Sequence, residues 1–297
     1  MTDQYAKDTA QQRTYRAFAA LLAGDDEAID LVQAALLIAS TQYPDLDMAY
    51  YTAQLDNLAR RVRTELALPT PDLQPALPEE TEILHVIDAM NKVLFEEEHF
   101  HGNRDDYHNP NNSFLNKVLE EHAGIPITLS LIYAEVGRRV GVQIDGIGMP
   151  YHFLVRCHLS YGFIYIDPYE GGLQMSEHSC RERIRQIAQH RIKFHSQWLE
   201  PSTRRHWLMR ILNNLKRIYI NQDDFDRALT TCDLLIMLNP RAAEEWRDRG
   251  LIHLQLKRYS RATKDLKVYT ELAPEASDRH EILNYIKTAR QMLAMLN

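Results

Sequence analysis

Between residues 15 and 140 the apolar side chains recur at intervals of three and four, the spacing of helices with one buried stripe. Phe18, Leu21 and Leu22 form a first stripe, Ile29, Val32 and Leu36 a second, and Met48, Tyr51, Leu55, Leu58 and Val62 a third. Gly24-Asp25-Asp26 predicts a break, with Asp25 or Asp26 capping the helix that follows, and Pro44-Asp45 predicts another stop and start. Residues 69–78 (PTPDLQPALP) hold four prolines and predict an extended connector. A helix over 79–95 follows, with Ile83, Ile87, Met90 and Leu94 on one stripe. Residues 99–113 are rich in Gly, Asn, Asp and Pro and predict a loop. Asn112 or Ser113 is placed to cap a short helix over 114–122, which Gly124 would close in the left-handed conformation. Pro126 then opens a helix running to 140. Ile127, Leu129, Leu131, Ile132, Ala134 and Val136 leave it almost no polar face, so it should lie at the centre of a domain.

After Gly141 the period changes to two. Residues 142–148, 151–159 and 163–167 predict strands, with Ser160-Tyr161-Gly162 as a hairpin link between the last two. Helices first and adjacent strands afterwards give an α+β domain: N-terminal helices, a buried central helix and an antiparallel sheet. The last third is all-α and repetitive. Phe225, Ala228, Leu238 and Pro240 recur as Tyr259, Ala262, Leu272 and Pro274, each 34 residues later. That period resembles the tetratricopeptide repeat. Trp246 and Gly250 fall at consensus positions, where the first repeat has Leu212 and Lys216. Residues 277–294 predict a solvating cap helix. Two repeats and a cap fall short of the roughly three such arrays need, so the array should lean on the first domain. Tyr219, Trp246 and His253 are the candidate partner-facing residues of this module.

Composition adds bounds to this picture. A chain of 297 residues with 45% hydrophobic and 25% charged residues suits two globular domains. The apolar run 31–39 is half of what a bilayer crossing needs, and the start has no apolar signal region, so no membrane association and a cytoplasmic location are expected. Three cysteines without CxxC spacing give neither a disulfide framework nor a thiolate metal site. The net charge of −7 makes nucleic acid an unlikely partner. Charge is nevertheless segregated: residues 1–100 carry 18 acidic and 7 basic side chains, whereas 181–217 carry 10 Lys and Arg against Glu182 and Glu200. Without an aromatic platform or glycine-rich phosphate loop, the basic stretch reads as a linker complementing the acidic half of the chain. His99, His101 and His108, with Asp105 and Asp106, lack an HExxH helix or a cysteine partner, so a polar loop is expected there, with no metal and no cofactor.

The chemistry-bearing constellation is the buried helix followed by His152 on the second strand and Asp167 ending the third. Adjacent antiparallel strands can set a carboxylate against an imidazole, the orienting pair of a Cys–His–Asp system. The partner such a pair needs is a thiol at the N-terminus of the buried helix, where the dipole lowers its pKa.

The strings FHGNRDDYHNPNNSFLNKVLEEHAGIPITLSLIYAEVGRRVG, PYHFLVR and IDPYEGG resemble the bacterial SirB-type family, a transglutaminase-like (papain-type) core followed by tetratricopeptide repeats. The resemblance covers about residues 30–290 and implies four parts: residues 1–98 as the helical N-terminal part, 99–180 as the α+β core, 181–206 as a basic linker and 207–297 as the repeats with their cap. It matches His152 and Asp167 to the family's His and Asp. Aligning Gly124 and Gly141 with the glycines flanking the catalytic helix puts Pro126, which has no nucleophilic atom, at the cysteine position. Cys157 is expected to face away from His152, Cys180 to sit in a polar loop beyond Gly171-Gly172, and Cys232 to be a packing residue. Thr128 and Ser130 are hydroxyls on the helix itself, and Ser130, about 6 Å along the axis from Pro126, is the possible substitute nucleophile. The expectation is a non-catalytic, regulatory interaction protein that binds a protein or peptide. Its degenerate groove would be lined by Asn112, Ser113, Pro126, Thr128 and Tyr151, beside a repeat surface for a partner. The alternative is an amide-directed hydrolase or acyl transferase using a non-standard nucleophile with His152 and Asp167.

Overall fold

The computed structural model describes residues 2–68, 82–159, 162–187, 189 and 193–296. The proline-rich connector at 69–78 and the Ser160-Tyr161 link lie outside these residues. The chain divides into two compact units, 1–211 and 212–297.

In the first unit α1 (Thr2–Leu21), α2 (Leu31–Ser40), α3 (Met48–Glu65) and α4 (Ile83–Asn91) are the predicted stripes made real. Their caps differ from the expectation. Asp30 caps α2 by accepting from Gln33 N at 2.9 Å, and Asp47 caps α3 by accepting from Ala49 N and Tyr50 N. Asp26 instead accepts from Arg204 N and Arg205 N at 2.6 and 3.0 Å, satisfying orphan donors of a helix start remote in sequence. The Arg205 guanidinium also approaches Asp26 Oδ1 to 4.0 Å, so one basic side chain of this stretch meets an acidic N-terminal residue.

Helix α4 runs into a π-helical turn, Lys92–Glu97, then a two-residue strand β1 (His101–Gly102) and a short 3-10 turn, Pro110–Ser113. Helix α5 (Leu115–Glu121) has Phe114 at its N-cap and no side-chain cap, so neither Asn112 nor Ser113 plays the predicted role. Its left-handed C-cap is His122 (φ 54°), not Gly124. Gly124 lies in β2 (Ala123–Gly124), parallel to β1, and is there for closeness: a Cβ would sit 2.9 Å from Thr128 Oγ1 and 3.0 Å from Val118. Helix α6 (Pro126–Val140) has Pro126 in its first turn and Gly141 (φ 107°) at its end, and nearly every side chain on it is buried, as the sequence predicts for a central helix.

The sheet is antiparallel in the order β3 (Ile144–Ile147), β4 (Leu154–Leu159), β5 (Gly162–Asp167) and β6 (Leu173–Met175). The fourth strand was not anticipated, because three residues at a sheet edge carry no alternating pattern. Helix α7 (Glu177–Ile187) replaces the expected polar loop and buries Cys180 and Ile184, one turn apart, in a cluster with Ile147, Met149, Leu154 and Tyr165. Gly146 lets β3 meet the next element, α8 (Arg204–Asn221), since a Cβ there would fall 2.0 Å from the Trp207 indole.

The boundary between the units falls within α8. The second unit continues as α9 (Phe225–Leu238), α10 (Ala243–Gln255), α11 (Tyr259–Leu272) and α12 (Arg279–Leu296), the helix pairs and cap that the 34-residue spacing requires. Ala228 and Ala262 are fully buried. Gly250 allows α10 to approach α11, because a Cβ would stand 2.7 Å from the Leu266 side chain and 3.2 Å from its backbone N. No helix among the described residues is long and apolar enough to cross a membrane.

Candidate functional site

His152 lies two residues before the strand begins at Leu154, in the segment leading into it rather than on the strand itself. Tyr151, before it, is 69% exposed and left-handed (φ 63°), a conformation a bulky side chain adopts only when its surroundings impose it. The turn is gripped from α8: Arg210 donates to the carbonyls of Met149 at 3.0 Å and His152 at 2.7 Å. These contacts present the imidazole to the end of β5, where Asp167 Oδ2 lies 2.7 Å from His152 Nε2. Asp167 is fully buried and His152 is 5% exposed, so the bond is shielded from competing water.

The carboxylate is held from its other side. Tyr169 N donates to Asp167 Oδ1 at 3.1 Å, within the 3-10 turn Pro168–Glu170, and Arg183 of α7 approaches Oδ2 to 3.8 Å. Arg183 and Arg104 both pair with Glu170. The Tyr169 ring stands edge-on to His152 with centroids 6.2 Å apart, and Tyr107 meets Tyr169 at 6.3 Å. Burial, then the neighbouring Tyr107, pushes the Tyr169 phenol above its ordinary pKa, so it remains a neutral wall of the site. Gly102 makes room for that ring, since a Cβ would lie 2.5 Å from it.

Helix α6 packs against β4 and against the 168–170 turn, and Ser130 on it reaches the carbonyl of Phe153, next to His152. The hydroxyls it carries are occupied. Thr128 Oγ1 lies 2.7 Å from the Asn112 carbonyl and accepts from Ile125 N at 3.2 Å, tying the helix start to the preceding loop. Ser130 is fully buried and donates to the Phe153 carbonyl at 3.4 Å. Asn112 donates to the carbonyls of Asp106 and Tyr107 and accepts from Asn103, so it shapes the loop and is itself buried. Ser113 is buried with no hydrogen-bond partner for Oγ among the described residues. Pro126 is buried at the first turn of the helix. Of the candidate groove residues, only Tyr151 is strongly exposed.

The thiols are remote from nucleophilic use. Cys157 pairs across the sheet with Ile144 and Ile164 and is fully buried; burial and the charge of Asp145 push its pKa to about 12. Cys180 is equally buried on α7, and burial together with Asp167 pushes it to about 12. Burial likewise raises Cys232 in α9. A thiol is reactive as its thiolate, which these surroundings suppress. His99, His101 and His108 do not converge: among the described residues no group of three His, Cys, Asp or Glu side chains is placed to hold a metal ion.

In the repeat unit Tyr219 is 3% exposed and His253 6%, so both are packing residues rather than the partner-facing ones the spacing suggested. A buried imidazole is costly to charge, and burial lowers the His253 pKa. Trp246 is partly exposed, donates to the Pro240 carbonyl at 2.9 Å and carries the Arg249 guanidinium 4.8 Å above its ring. The residues not foreseen at the His152 site are Tyr169, Arg183 and Arg210. Tyr169 follows the Asp-Pro pair directly, and that adjacency could have marked it.

Comparison with known proteins agrees with this architecture. Residues 49–213 match the transglutaminase-like superfamily and residues 215–287 match a tetratricopeptide repeat family. A UPF0162 protein of Xylella fastidiosa (strain Temecula1) is 38% identical over 256 residues, covering 84% of this chain and 86% of that protein. The UPF0162 protein of Vibrio cholerae is 26% identical over 251 residues, covering 84% and 88%. Human F-box only protein 21 is 39% identical over 109 residues, 34% of this chain and 17% of that protein. No solved structure matches the chain. The transglutaminase-like match over residues 49–213, the repeat match that follows it and 38% identity along most of both chains make the chain a member of the UPF0162 family, a transglutaminase-like domain joined to tetratricopeptide repeats.

Proposed function

We propose that this protein binds a protein or peptide partner without covalent chemistry, as a regulatory pseudoenzyme. The observation that carries the reading is Pro126. The family resemblance assigns the first turn of α6 to the nucleophile, and the residue there is a buried pyrrolidine ring. The His152–Asp167 pair then serves as a structural lock: the short shielded bond joins the turn before β4 to the end of β5 and fixes the exposed Tyr151 beside it. Ser130 offers no substitute, because its hydroxyl is buried and donates to the Phe153 carbonyl. Tetratricopeptide repeats commonly serve protein binding, which supports the same reading for the second unit.

A peptide array probed with the full chain tests this. Tyr151→Ala, which trims an exposed side chain, should remove one group of bound peptides, and Trp246→Ala should remove a different one. Identical patterns for wild type and both variants would overturn the reading, as would cleavage of array peptides that depends on His152.

A further inference from the structure

Helices α9 and α11 occupy the same place in the 34-residue period, so they can be compared position by position. Both are entered through a left-handed residue, Asp223 (φ 56°) and Lys257 (φ 56°). From there the charges diverge. The series Asp223, Asp224, Arg227, Thr230, Asp233 in the first repeat becomes Lys257, Arg258, Arg261, Lys264, Lys267 in the second. The same repeat position accepts either sign, so the fold does not dictate the basic row.

The α11 charges also work against their own helix. Anions suit the first turn of a helix and cations the last. In α9 Asp224 caps the start by accepting from Arg227 N at 3.3 Å, and Asp226 follows in the first turn. In α11 Arg258 stands at the N-cap without a side-chain bond, the first turn holds no acid, and Glu271 lies near the far end. Arg261, Lys264 and Lys267 are three residues apart, a spacing at which like charges repel. A row that costs its own helix stability breaks a local rule with no structural return, which marks a functional surface.

Four of these cations are free. Lys257, Arg261, Lys264 and Lys267 are exposed, and their side chains make no ion pair or hydrogen bond among the described residues. Arg258 is paired, with Asp226 at 3.0 Å. Asp265 of α11 faces inward and is held by Arg249 at 2.7 and 2.8 Å, so it does not offset the row. The chain has a net charge of −7, yet residues 212–297 carry 14 Lys and Arg against 12 Asp and Glu.

We propose that the exposed face of α11 docks an acidic peptide segment of a partner protein, its carboxylates meeting Lys257, Arg261, Lys264 and Lys267. The row spans about 15 Å along the helix, which five or six extended residues cover. Ser260 and Val268 share this face, so it offers no aromatic ring on which a nucleobase could stack. The negative charge of the whole chain opposes a long polyanion or an anionic membrane, whereas a short segment feels the local row. The proposal rests on the partner-binding role given above to the repeats and names the chemistry of one partner segment. It uses neither Trp246 nor Tyr151.

Calorimetric titration of the full chain with acetylated, amidated hexaglutamate and hexaglutamine tests it. Hexaglutamate should bind below about 1 mM and at least roughly tenfold more tightly than hexaglutamine, and added salt should weaken it. The Lys257→Gln, Lys264→Gln, Lys267→Gln triple variant should lose this binding. Its repeat unit should unfold at the same or a higher temperature, because the neutralised row no longer repels itself. A control triple, Arg279→Gln, Lys287→Gln, Arg290→Gln on α12, removes equal charge and should keep the binding. No saturable binding of hexaglutamate, equal loss in the control, or a lower unfolding temperature in the α11 variant would overturn the proposal. So would tighter binding of octauridylate, or retention on phosphatidylserine vesicles that the α11 variant abolishes, which would assign the row to RNA or to a membrane. Array peptides that depend on Trp246 should still bind the α11 variant, so this inference and the partner-binding reading fail separately.

Discussion

Asp167→Ala should lower the stability of the first unit by about 3 kcal/mol, because it leaves buried polar groups without an acceptor. Asp167 is wholly shielded, and its two oxygens serve His152 Nε2 at 2.7 Å and Tyr169 N at 3.1 Å. Truncation removes both bonds at once and leaves Arg183 facing a void where a negative charge had been. For a domain of this size the loss corresponds to a fall in Tm of roughly 6–12 °C, measurable by thermal or urea unfolding. The His152→Ala, Asp167→Ala double variant should cost clearly less than the sum of the single ones, since the second truncation no longer strands a partner. Additive costs, or an Asp167→Ala loss below about 1 kcal/mol, would mean that the pair does not lock these two segments together.

Lys216→Met should be at least as damaging to the repeat unit, by about 3–5 kcal/mol. Lys216 is buried in α8 with Nζ 2.6 Å from Glu245 and 2.8 Å from Asp248, both on α10. Burial pulls the Lys216 pKa down, and the two carboxylates more than restore it, so it is charged at neutral pH. Glu245 is the exposed flank of this arrangement in energetic terms: burial raises its pKa even with the ammonium in contact. A carboxyl whose folded pKa lies above its unfolded value binds protons more tightly when folded. Its contribution is therefore greatest at low pH and declines as pH rises through the folded pKa. Removing the ammonium raises Glu245 further, so the Lys216→Met deficit should be largest near neutral pH and shrink as the pH falls and Glu245 takes up a proton. Hydrogen exchange across α8 to α10 resolves this unit from the first. A deficit that is absent, or constant with pH, would contradict the reading.

The sequence made much of this fold legible, and the reasons are local. Helices α2, α3 and α6 announce themselves because each buries a stripe or a whole surface of apolar residues, and the repeats because the wholly buried Ala228 and Ala262 recur 34 residues apart. Helix α7 stayed hidden because only Cys180 and Ile184 face inward among polar neighbours, too few to set a period. Propensity favours Gly124 for the left-handed cap that His122 occupies, while the close approach of Thr128 and Val118 gives the glycine a different role.

At the candidate site His152 and Asp167 were identifiable as residue types, and a hairpin was enough to suggest their contact. Arg210 was not, because its role is to hold two backbone carbonyls from a helix far along the chain. Repeat position alone points Tyr219 and His253 toward a partner, whereas their burial depends on how neighbouring helices cross, which a spacing of 34 does not encode. Lys216 stands where the second repeat has Gly250, and no local pattern marks a lysine there as reaching two carboxylates on α10.

The central claim is that an oriented imidazole has no nucleophile to activate. Intact-mass measurement after exposing the native chain to a thiol-alkylating iodoacetamide and a hydroxyl-directed fluorophosphonate addresses it directly. With Cys157 and Cys180 buried and their pKa values pushed to about 12, and with Ser130 donating to the Phe153 carbonyl, the native protein should gain no adduct on any cysteine or serine. A single adduct on Ser130, or on one of those thiols, that disappears in His152→Ala would contradict the account.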